Sequence, residues 1–161
     1  PSISWSENNQ TIYTILNSAG DKPNSPSGVQ YDLVALLPDT GKIITLSEGC
    51  GLFCYPVLSP TDEQGRFSVG FLSSIIPEQS ETSRYNLKIM DRDGSNQTKL
   101  YPGEGIQGLS PQFIAWSPYQ ESDADRWIAF IAQGNILLAN PSTSTIRQIS
   151  GDSSVTKLIW R

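Results

Sequence analysis

The sequence has 161 residues, is 37% hydrophobic, contains 13 glycines and 11 prolines, and carries a formal charge of −5. Its Lys and Arg residues are scattered singly, which argues against nucleic acid and anionic membranes as partners, because neutralising phosphate requires clustered cations. No run of about eighteen apolar residues occurs, so the sequence predicts no membrane-spanning segment.

Short apolar runs separated by Gly, Pro, Asn and Ser predict β-strands along the whole chain. No window shows apolar residues at helical spacing over three turns, so the predicted fold class is all-β. The predicted strands form three groups of four and one leftover strand. They cover residues 3–5, 11–16, 31–37 and 42–46; 55–58, 66–73, 85–90 and 97–101; 113–116, 127–132, 135–139 and 146–150; and 155–160.

A recurring strand end indicates an internal repeat. Trp5-Ser6, Leu58-Ser59, Trp116-Ser117 and Trp160 each close the first strand of a group, at intervals of 53, 58 and 44 residues. These intervals match the length of a propeller blade. We therefore predict a β-propeller domain over 1–161 made of four-stranded antiparallel blades. Blade 1 covers about 2–47, blade 2 about 55–101 and blade 3 about 112–150, and 155–160 is the inner strand of a next blade.

The third group carries a family resemblance in "FIAWSP…RWIAFIAQGNILLANPSTSTIRQIS". This text resembles the TolB-like β-propeller repeat, with an aromatic residue before Trp-Ser-Pro, an Ile-Ala-Phe strand and a closing Arg-Gln-Ile-Ser. The second group is similar through Leu58-Ser59-Pro60 and "YNLKIMDRDGSNQTKL", and the first keeps Trp5-Ser6. The resemblance implies part of a propeller. It also implies an exported protein, periplasmic or extracellular.

Three blades form only an open arc, since closed propellers have about four to eight blades. Missing blades or self-association with a second copy would close the ring. The start at Pro1, without a Met or an apolar leader, leaves two interpretations: removal of a signal peptide, or a piece of a longer chain. The sequence does not separate these two. For the closure of the ring, the leftover strand favours missing blades over a second copy, because a two-copy ring would have to place this strand as well as the partner's first strand.

Two cysteines, Cys50 and Cys54, lie close together on a Gly-containing loop. A structural zinc site needs four Cys or His ligands, and the chain has no His, so the metal interpretation lacks ligands. In an exported protein this spacing favours a local disulfide between Cys50 and Cys54 over two free thiols.

Catalytic patterns are missing from the sequence. Without His there is no Ser-His-Asp or Cys-His arrangement, and no Gly-x-Ser-x-Gly segment occurs. The segment 91–96 is interpreted as a hairpin turn rather than a calcium loop, because its Gly and its twelfth position do not fit the ligand spacing. The four tryptophans are predicted to be core between blades. We expect no catalytic residues, metal or cofactor.

The long loops are predicted to share one face. In a propeller the second-to-third strand loops, here 17–30 and 74–84, lie on the same side as the blade-to-blade loops, here 47–54 and 102–112. Binding residues concentrate on such loops. The candidate binding residues on this face are Asp21, Lys22, Asn24, Tyr31, Glu78, Glu81, Arg84 and Glu104.

The function expected from the sequence is a non-catalytic binding or scaffold module that recognises a protein or a cell-envelope component through this face. The alternative is the substrate-gating propeller domain of a larger prolyl-oligopeptidase-like serine peptidase, whose nucleophile would lie in another domain. A flanking Gly-x-Ser-x-Gly segment with Asp and His would favour the alternative.

Overall fold

The computed structural model describes residues 3–18, 30–118 and 126–160. Within these ranges the chain forms twelve β-strands and a short 3-10 helix, Pro77–Gln79. The strands are β1 (Ser4–Trp5), β2 (Ile12–Asn17), β3 (Tyr31–Leu37), β4 (Lys42–Ser47), β5 (Val57–Leu58), β6 (Ser68–Ser74), β7 (Tyr85–Asp91), β8 (Thr98–Tyr101), β9 (Ala115–Trp116), β10 (Ile128–Ala132), β11 (Asn135–Asn140) and β12 (Thr145–Gln148). No helix in these ranges is long and apolar enough to cross a membrane.

The strands form three four-stranded antiparallel sheets, β1–β4, β5–β8 and β9–β12, which we call blades 1, 2 and 3. In each blade the strands pair in chain order, so each ladder is a hairpin between consecutive strands. The all-β prediction and the three groups of four are confirmed, with strand ends within two residues of the predicted positions. The turn signals are accurate because Gly, Pro and Asn fix the places where a strand must end.

Two hydrophobic cores hold the blades face to face. The core between blades 1 and 2 includes Tyr13, Leu33 and Phe71, and the core between blades 2 and 3 includes Leu72 and Phe130. Successive side chains of a strand point to opposite faces, so the neighbours Phe71 and Leu72 on β6 enter different cores. Blade 2 is therefore covered on both faces, and each such buried side chain contributes about 1.5–3 kcal/mol.

The first strands of the blades lie next to one another. The Ser4 hydroxyl donates a hydrogen bond to the Pro56 carbonyl at 2.6 Å, and the Trp116 indole N–H donates to the Val57 carbonyl at 3.0 Å. A Cβ at Gly70 would lie 3.2 Å from Trp116 Nε1, so glycine makes room for the indole. Face-to-face blades with adjacent first strands are the arrangement of consecutive blades in a β-propeller.

One serine closes the first hairpin of each blade in the same way. Each of these three serines is buried and follows the last residue of an inner strand. Its hydroxyl oxygen accepts from the backbone N–H at the start of the second strand, and its own N–H donates to the carbonyl of that residue. The pairs are Ser6 with Thr11 (3.1 and 3.0 Å), Ser59 with Ser68 (3.0 and 2.9 Å) and Ser117 with Trp127 (3.0 and 2.8 Å). The repeated serine in the sequence thus has a structural role.

The strand predicted at 155–160 is not formed, since these residues join no sheet. The Val155 N–H donates to the Gly134 carbonyl at 2.8 Å. Beyond it, Trp160 lies beside the first strands of the blades, along a cavity of about 410 Å³ that Trp5 and Trp116 also line. An inner strand pairs with the second strand of its own blade, and the described residues supply no such partner.

The predicted burial of the four tryptophans is correct for Trp116 and wrong for Trp5. Trp116 is 8% exposed because it packs on blade 2, whereas Trp5 is 51% exposed. Trp5 lines the cavity along the first strands and is not enclosed by the cores between the blades. Trp127 and Trp160 are partly buried, and the Arg147 guanidinium lies 5.8 Å from the Trp127 ring centre.

Candidate binding face

Three loops, residues 48–56, 75–84 and 102–114, converge on one side of the blades, which we call the loop-rich face. The Gly51 N–H donates to the Tyr31 carbonyl at 3.2 Å, and a Cβ at Gly49 would lie 3.3 Å from Pro77 Cβ. Tyr85 and Leu109 exchange backbone hydrogen bonds of 2.9 and 2.8 Å. These contacts confirm the predicted convergence for the three loops. Most of the fourth predicted loop, at 19–29, lies outside the described residues.

Tyr85 fixes two of the loops together. Its hydroxyl donates to the Ser80 carbonyl at 2.6 Å and accepts from the Phe53 N–H at 3.4 Å. Burial raises the pKa of Tyr85 above its ordinary value, so the hydroxyl keeps its proton. Gly51 packs against this hydroxyl with a φ of +95°. The loop-rich face is therefore built on a buried polar support.

The predicted disulfide between Cys50 and Cys54 is wrong. Both residues are free thiols, fully buried in the core between blades 1 and 2. The Cys50 thiol donates to the Gly51 carbonyl at 3.7 Å. Burial is the main cause that raises the pKa of Cys54 well above its ordinary value, and a hydrogen bond with Cys50 adds to it. The loop turns both side chains into an apolar core, where neutral thiols pack as small hydrophobic groups.

Aromatic side chains form a row where the first strands of blades 2 and 3 begin. The rings of Tyr55 and Phe113 stack with centres 4.7 Å apart and planes 26° from parallel, and Phe53 lies 5.9 Å from Tyr55. Phe113 is 62% exposed. Tyr55 has a φ of +46°, which is uncommon for a bulky residue. Such conformations concentrate at binding sites, where the surrounding structure enforces them.

A groove of about 320 Å³ lies between blades 2 and 3 on the loop-rich face. Arg84 lies at one side, and its Nη1 donates a hydrogen bond to the Ser110 hydroxyl. Gln112 fixes the next part of the wall, since its side-chain amide donates to the Ile131 carbonyl at 2.6 Å and accepts from the Ile131 N–H at 2.5 Å. The remaining lining residues are Tyr101, Gln107, Gly108, Leu109, Pro111, Ala132, Gln133, Gly134 and Thr156.

Three exposed isoleucines lie on two loops of the loop-rich face, 75–84 and 102–114, and one of them contacts the groove. Ile75, Ile76 and Ile106 are 46–49% exposed. Ile75 covers Gly108, where an added Cβ would lie 2.6 Å from Ile75 Cδ1. We call these three residues the isoleucine rim. Large apolar side chains grouped on one face are typical of a surface that contacts a partner.

The residues predicted for the binding face have different outcomes. Arg84 lines the groove, and Glu78, Glu81 and Glu104 are exposed on the loops of this face. Tyr31 is partly buried and packs against the core between blades 1 and 2. Asp21, Lys22 and Asn24 lie outside the described residues.

Phe113, Gln112 and the isoleucine rim carry no sequence pattern that predicts a binding role. The sequence predicts Phe113 in a strand, although β9 begins only at Ala115. The only available signal was position, because Gln112 and Phe113 lie at a blade boundary and Ile75 and Ile106 lie in long loops.

A second cleft, of about 420 Å³, lies at the turns of the opposite face and is lined by charges of both signs. Arg66 Nε forms an ion pair with Asp62 Oδ2 at 2.8 Å. The hydrogen bond from the Arg66 backbone N–H is the main cause that lowers the pKa of Asp62. Asp91, Arg92, Asp93 and Arg126 line the rest. The charges in this cleft compensate one another.

The segment 91–96, also in this region, forms the predicted hairpin turn. The Asp91 N–H donates to the Ser95 carbonyl at 2.9 Å, and Gly94 supplies a φ of +88°. Among the described residues, no group of three or more His, Cys, Asp or Glu could hold a metal ion.

No protein-family model matches this chain, and neither a curated protein nor a solved structure matches it. The similarity to TolB-like propellers therefore remains an expectation drawn from the sequence.

Proposed function

We propose that this chain is a non-catalytic binding module of the TolB-like propeller type, which recognises a protein or a cell-envelope component through its loop-rich face. The observation that carries the proposal is the isoleucine rim beside the groove. Both are formed by loops that converge on one side of three packed blades. Burying exposed apolar side chains against a partner is favourable because it removes apolar surface from water.

The rigidity of the support favours binding. The hydroxyl of Tyr85 joins two loops, and the backbone of Tyr85 pairs with Leu109 of the third. Loops already fixed in place lose little conformational entropy when a partner docks. A preformed surface of this kind supports recognition without a large rearrangement.

We place the protein in the periplasm or outside the cell on the strength of the TolB-like resemblance. The two thiols are compatible with this placement, since both are fully buried. Burial shields both thiols from oxidants, and the raised pKa of Cys54 keeps that thiol in the less reactive protonated form.

Affinity capture with matched variants tests the proposed function. The wild-type chain and the variant Ile76→Asp/Ile106→Asp are used to capture binders from an envelope extract, with quantitative mass spectrometry as the readout. Gln64→Asp, at an exposed turn on the opposite face, is the control. We expect the rim variant to lose the enriched partner and the control to keep it. Loss in the control alone, or equal capture by all three proteins, would contradict the proposal.

A second candidate is the gating propeller of a larger peptidase. The cavity of about 410 Å³ along the first strands supports it, since a passage between blades could filter substrates. The sequence of the complete gene tests this candidate. A Gly-x-Ser-x-Gly segment with Asp and His in a flanking domain would replace the first proposal with this one.

A further inference from the structure

The groove between blades 2 and 3 contains an uncompensated positive charge. Among the described lining residues Arg84 is the only charged one, although the chain as a whole carries −5. Arg84 donates to the Ser110 hydroxyl and forms no ion pair with a described residue. Arg66 differs, because it pairs with Asp62. The Arg84 side chain is thus available to an external anion.

The guanidinium geometry selects the kind of anion. Arginine has five N–H donors in a planar fork and stays charged over the whole working pH range. The hydrogen bond to Ser110 uses Nη1, which leaves Nε and Nη2 as a parallel pair of donors. Such a pair matches the two oxygens of a carboxylate.

The walls of the groove indicate which chemical group is attached to the carboxylate. Pro111 and Ile131 provide apolar surface next to Arg84, and the core residues Leu109 and Ala132, 2% and 8% exposed, form the base of the wall. A volume of about 320 Å³ is near the lower end of the usual range for ligand pockets, roughly 300–1,000 Å³. The space suits one aliphatic side chain with its carboxylate better than a nucleotide or an oligosaccharide.

The walls are already in place before a ligand arrives. Leu109 is paired with Tyr85, Gln112 with Ile131, and Gly134 with Val155. The groove therefore needs little ordering on binding, and the contact with the carboxylate contributes to affinity directly.

We propose that the groove binds a peptide through a free carboxylate on an aliphatic residue, as at a peptide C-terminus. Arg84 binds the carboxylate, and the apolar wall holds the side chain. The preceding peptide residues cross the isoleucine rim. This inference rests on the proposed function and names the chemistry of the partner.

The test is a titration of the ¹⁵N-labelled chain with N-acetyl-leucine, followed by ¹H–¹⁵N correlation spectra. We expect saturable shifts confined to the backbone amides of 107–110, 112 and 133–134 and to Arg84 Nε–H. Arg84→Met should weaken binding by about tenfold or more, as expected for a lost charged hydrogen bond. Lys99→Met, which removes an exposed cation on β8, should leave affinity within about twofold, because surface charges away from a site contribute little. Unchanged dispersion in the spectra shows that both variants are folded.

Three further probes can overturn the proposal. Equal binding of N-acetyl-leucinamide would show that the carboxylate is not recognised. Equal shifts with inorganic phosphate would assign the groove to anions in general. Stronger binding of N-acetyl-glutamic acid α-amide would show that the groove recognises a side-chain carboxylate rather than a terminal one.

The capture experiment separates this inference from the proposed function. If Arg84→Met keeps the captured partner while the rim variant loses it, the loop-rich face binds but the carboxylate assignment is wrong. If the rim variant keeps the partner, the proposed function itself fails. If both variants lose the captured partner and N-acetyl-leucine binding depends on Arg84, the result supports the proposed function and the carboxylate inference.

Discussion

The two faces of this protein are built by different rules. On the opposite face, each blade closes its first hairpin with a buried serine and the same pair of backbone hydrogen bonds, at Ser6, Ser59 and Ser117. On the loop-rich face the loops differ from blade to blade. Blade 2 has a 3-10 helix between its second and third strands, whereas blade 3 has the two-residue turn Gln133-Gly134.

The difference separates stability from recognition. The same serine hydrogen bonds hold one end of each blade, so the loops at the other end can vary in sequence and length while the fold is kept. The variable end is the one that exposes the isoleucine rim and Arg84. Paired substitutions, one on each face, can break or sharpen this comparison.

The largest difference is expected between two glycines with positive φ. A Cβ at Gly51 (φ +95°) would lie 2.8 Å from Ser74 Cβ and 3.0 Å from the Tyr85 hydroxyl, whereas Gly65 (φ +72°), on the opposite face, has no neighbour within 4 Å. Gly51→Ala should lower the free energy of unfolding by about 3 kcal/mol, through backbone strain and overpacking, and Gly65→Ala by about 1 kcal/mol, through strain alone. Urea unfolding measures both. Equal losses would contradict the close packing at Gly51.

Two tyrosine hydroxyls give the next comparison. Tyr85→Phe leaves the Phe53 N–H and the Ser80 carbonyl without this partner, so we expect a loss of about 2 kcal/mol. Tyr13→Phe removes a single hydrogen bond, to the Arg92 carbonyl at 3.0 Å, and should cost about 1 kcal/mol. The free energies of unfolding from urea titrations of the two variants test this ranking. A larger loss for Tyr13→Phe would reverse it.

The repeated serines should be equivalent. Ser6→Ala, Ser59→Ala and Ser117→Ala each remove the acceptor of a backbone N–H, and each should cost about 1 kcal/mol. Ser110→Ala removes only the exposed acceptor of the Arg84 hydrogen bond on the loop-rich face, so as the comparison it should cost about 0.5 kcal/mol or less. Denaturation midpoints at constant slope give the values. If the three variants differ widely in their loss of unfolding free energy, the three serines do not contribute equally to stability, and the prediction is wrong.

The smallest effect concerns the Tyr13 hydroxyl, whose contribution to the free energy of unfolding changes only at alkaline pH. Burial raises the pKa of Tyr13 from 10.0 to about 12, so the folded state favours the protonated hydroxyl. This contribution to stability is complete below pH 10 and is lost as the pH rises through about 12. Tyr13→Phe should show a shallower decline of unfolding free energy between pH 9 and about 11.5 than the wild type, because it lacks this titration. Parallel declines would contradict the shifted pKa.

The sequence predicts the blades well because their limits depend on local chemistry. Gly134 and the turn at 91–96 end their strands through local backbone preferences, which do not depend on the tertiary structure. Every strand within the blades is accordingly found within two residues of its predicted ends.

The errors share a non-local cause. Whether Cys50 and Cys54 pair depends on the direction in which their loop enters the core, and the exposure of Trp5 depends on a neighbouring sheet. The strand predicted at 155–160 lacks a partner for its ladder. Half of the predicted binding residues, Glu78, Glu81, Arg84 and Glu104, lie on the described loops of the loop-rich face. Among them only Arg84 enters the groove, and spacing in the sequence could not single it out.

The chain-order pairing of strands also bears on how the protein folds. Each ladder joins consecutive strands, from β1 with β2 to β11 with β12. Hairpin contacts close short loops, so each blade can begin to form without waiting for distant parts of the chain. Since the cores join only neighbouring blades, folding can nucleate in one blade and spread to the next, as in other repeat proteins. Blade 2, covered on both faces, is where we expect the slowest hydrogen exchange.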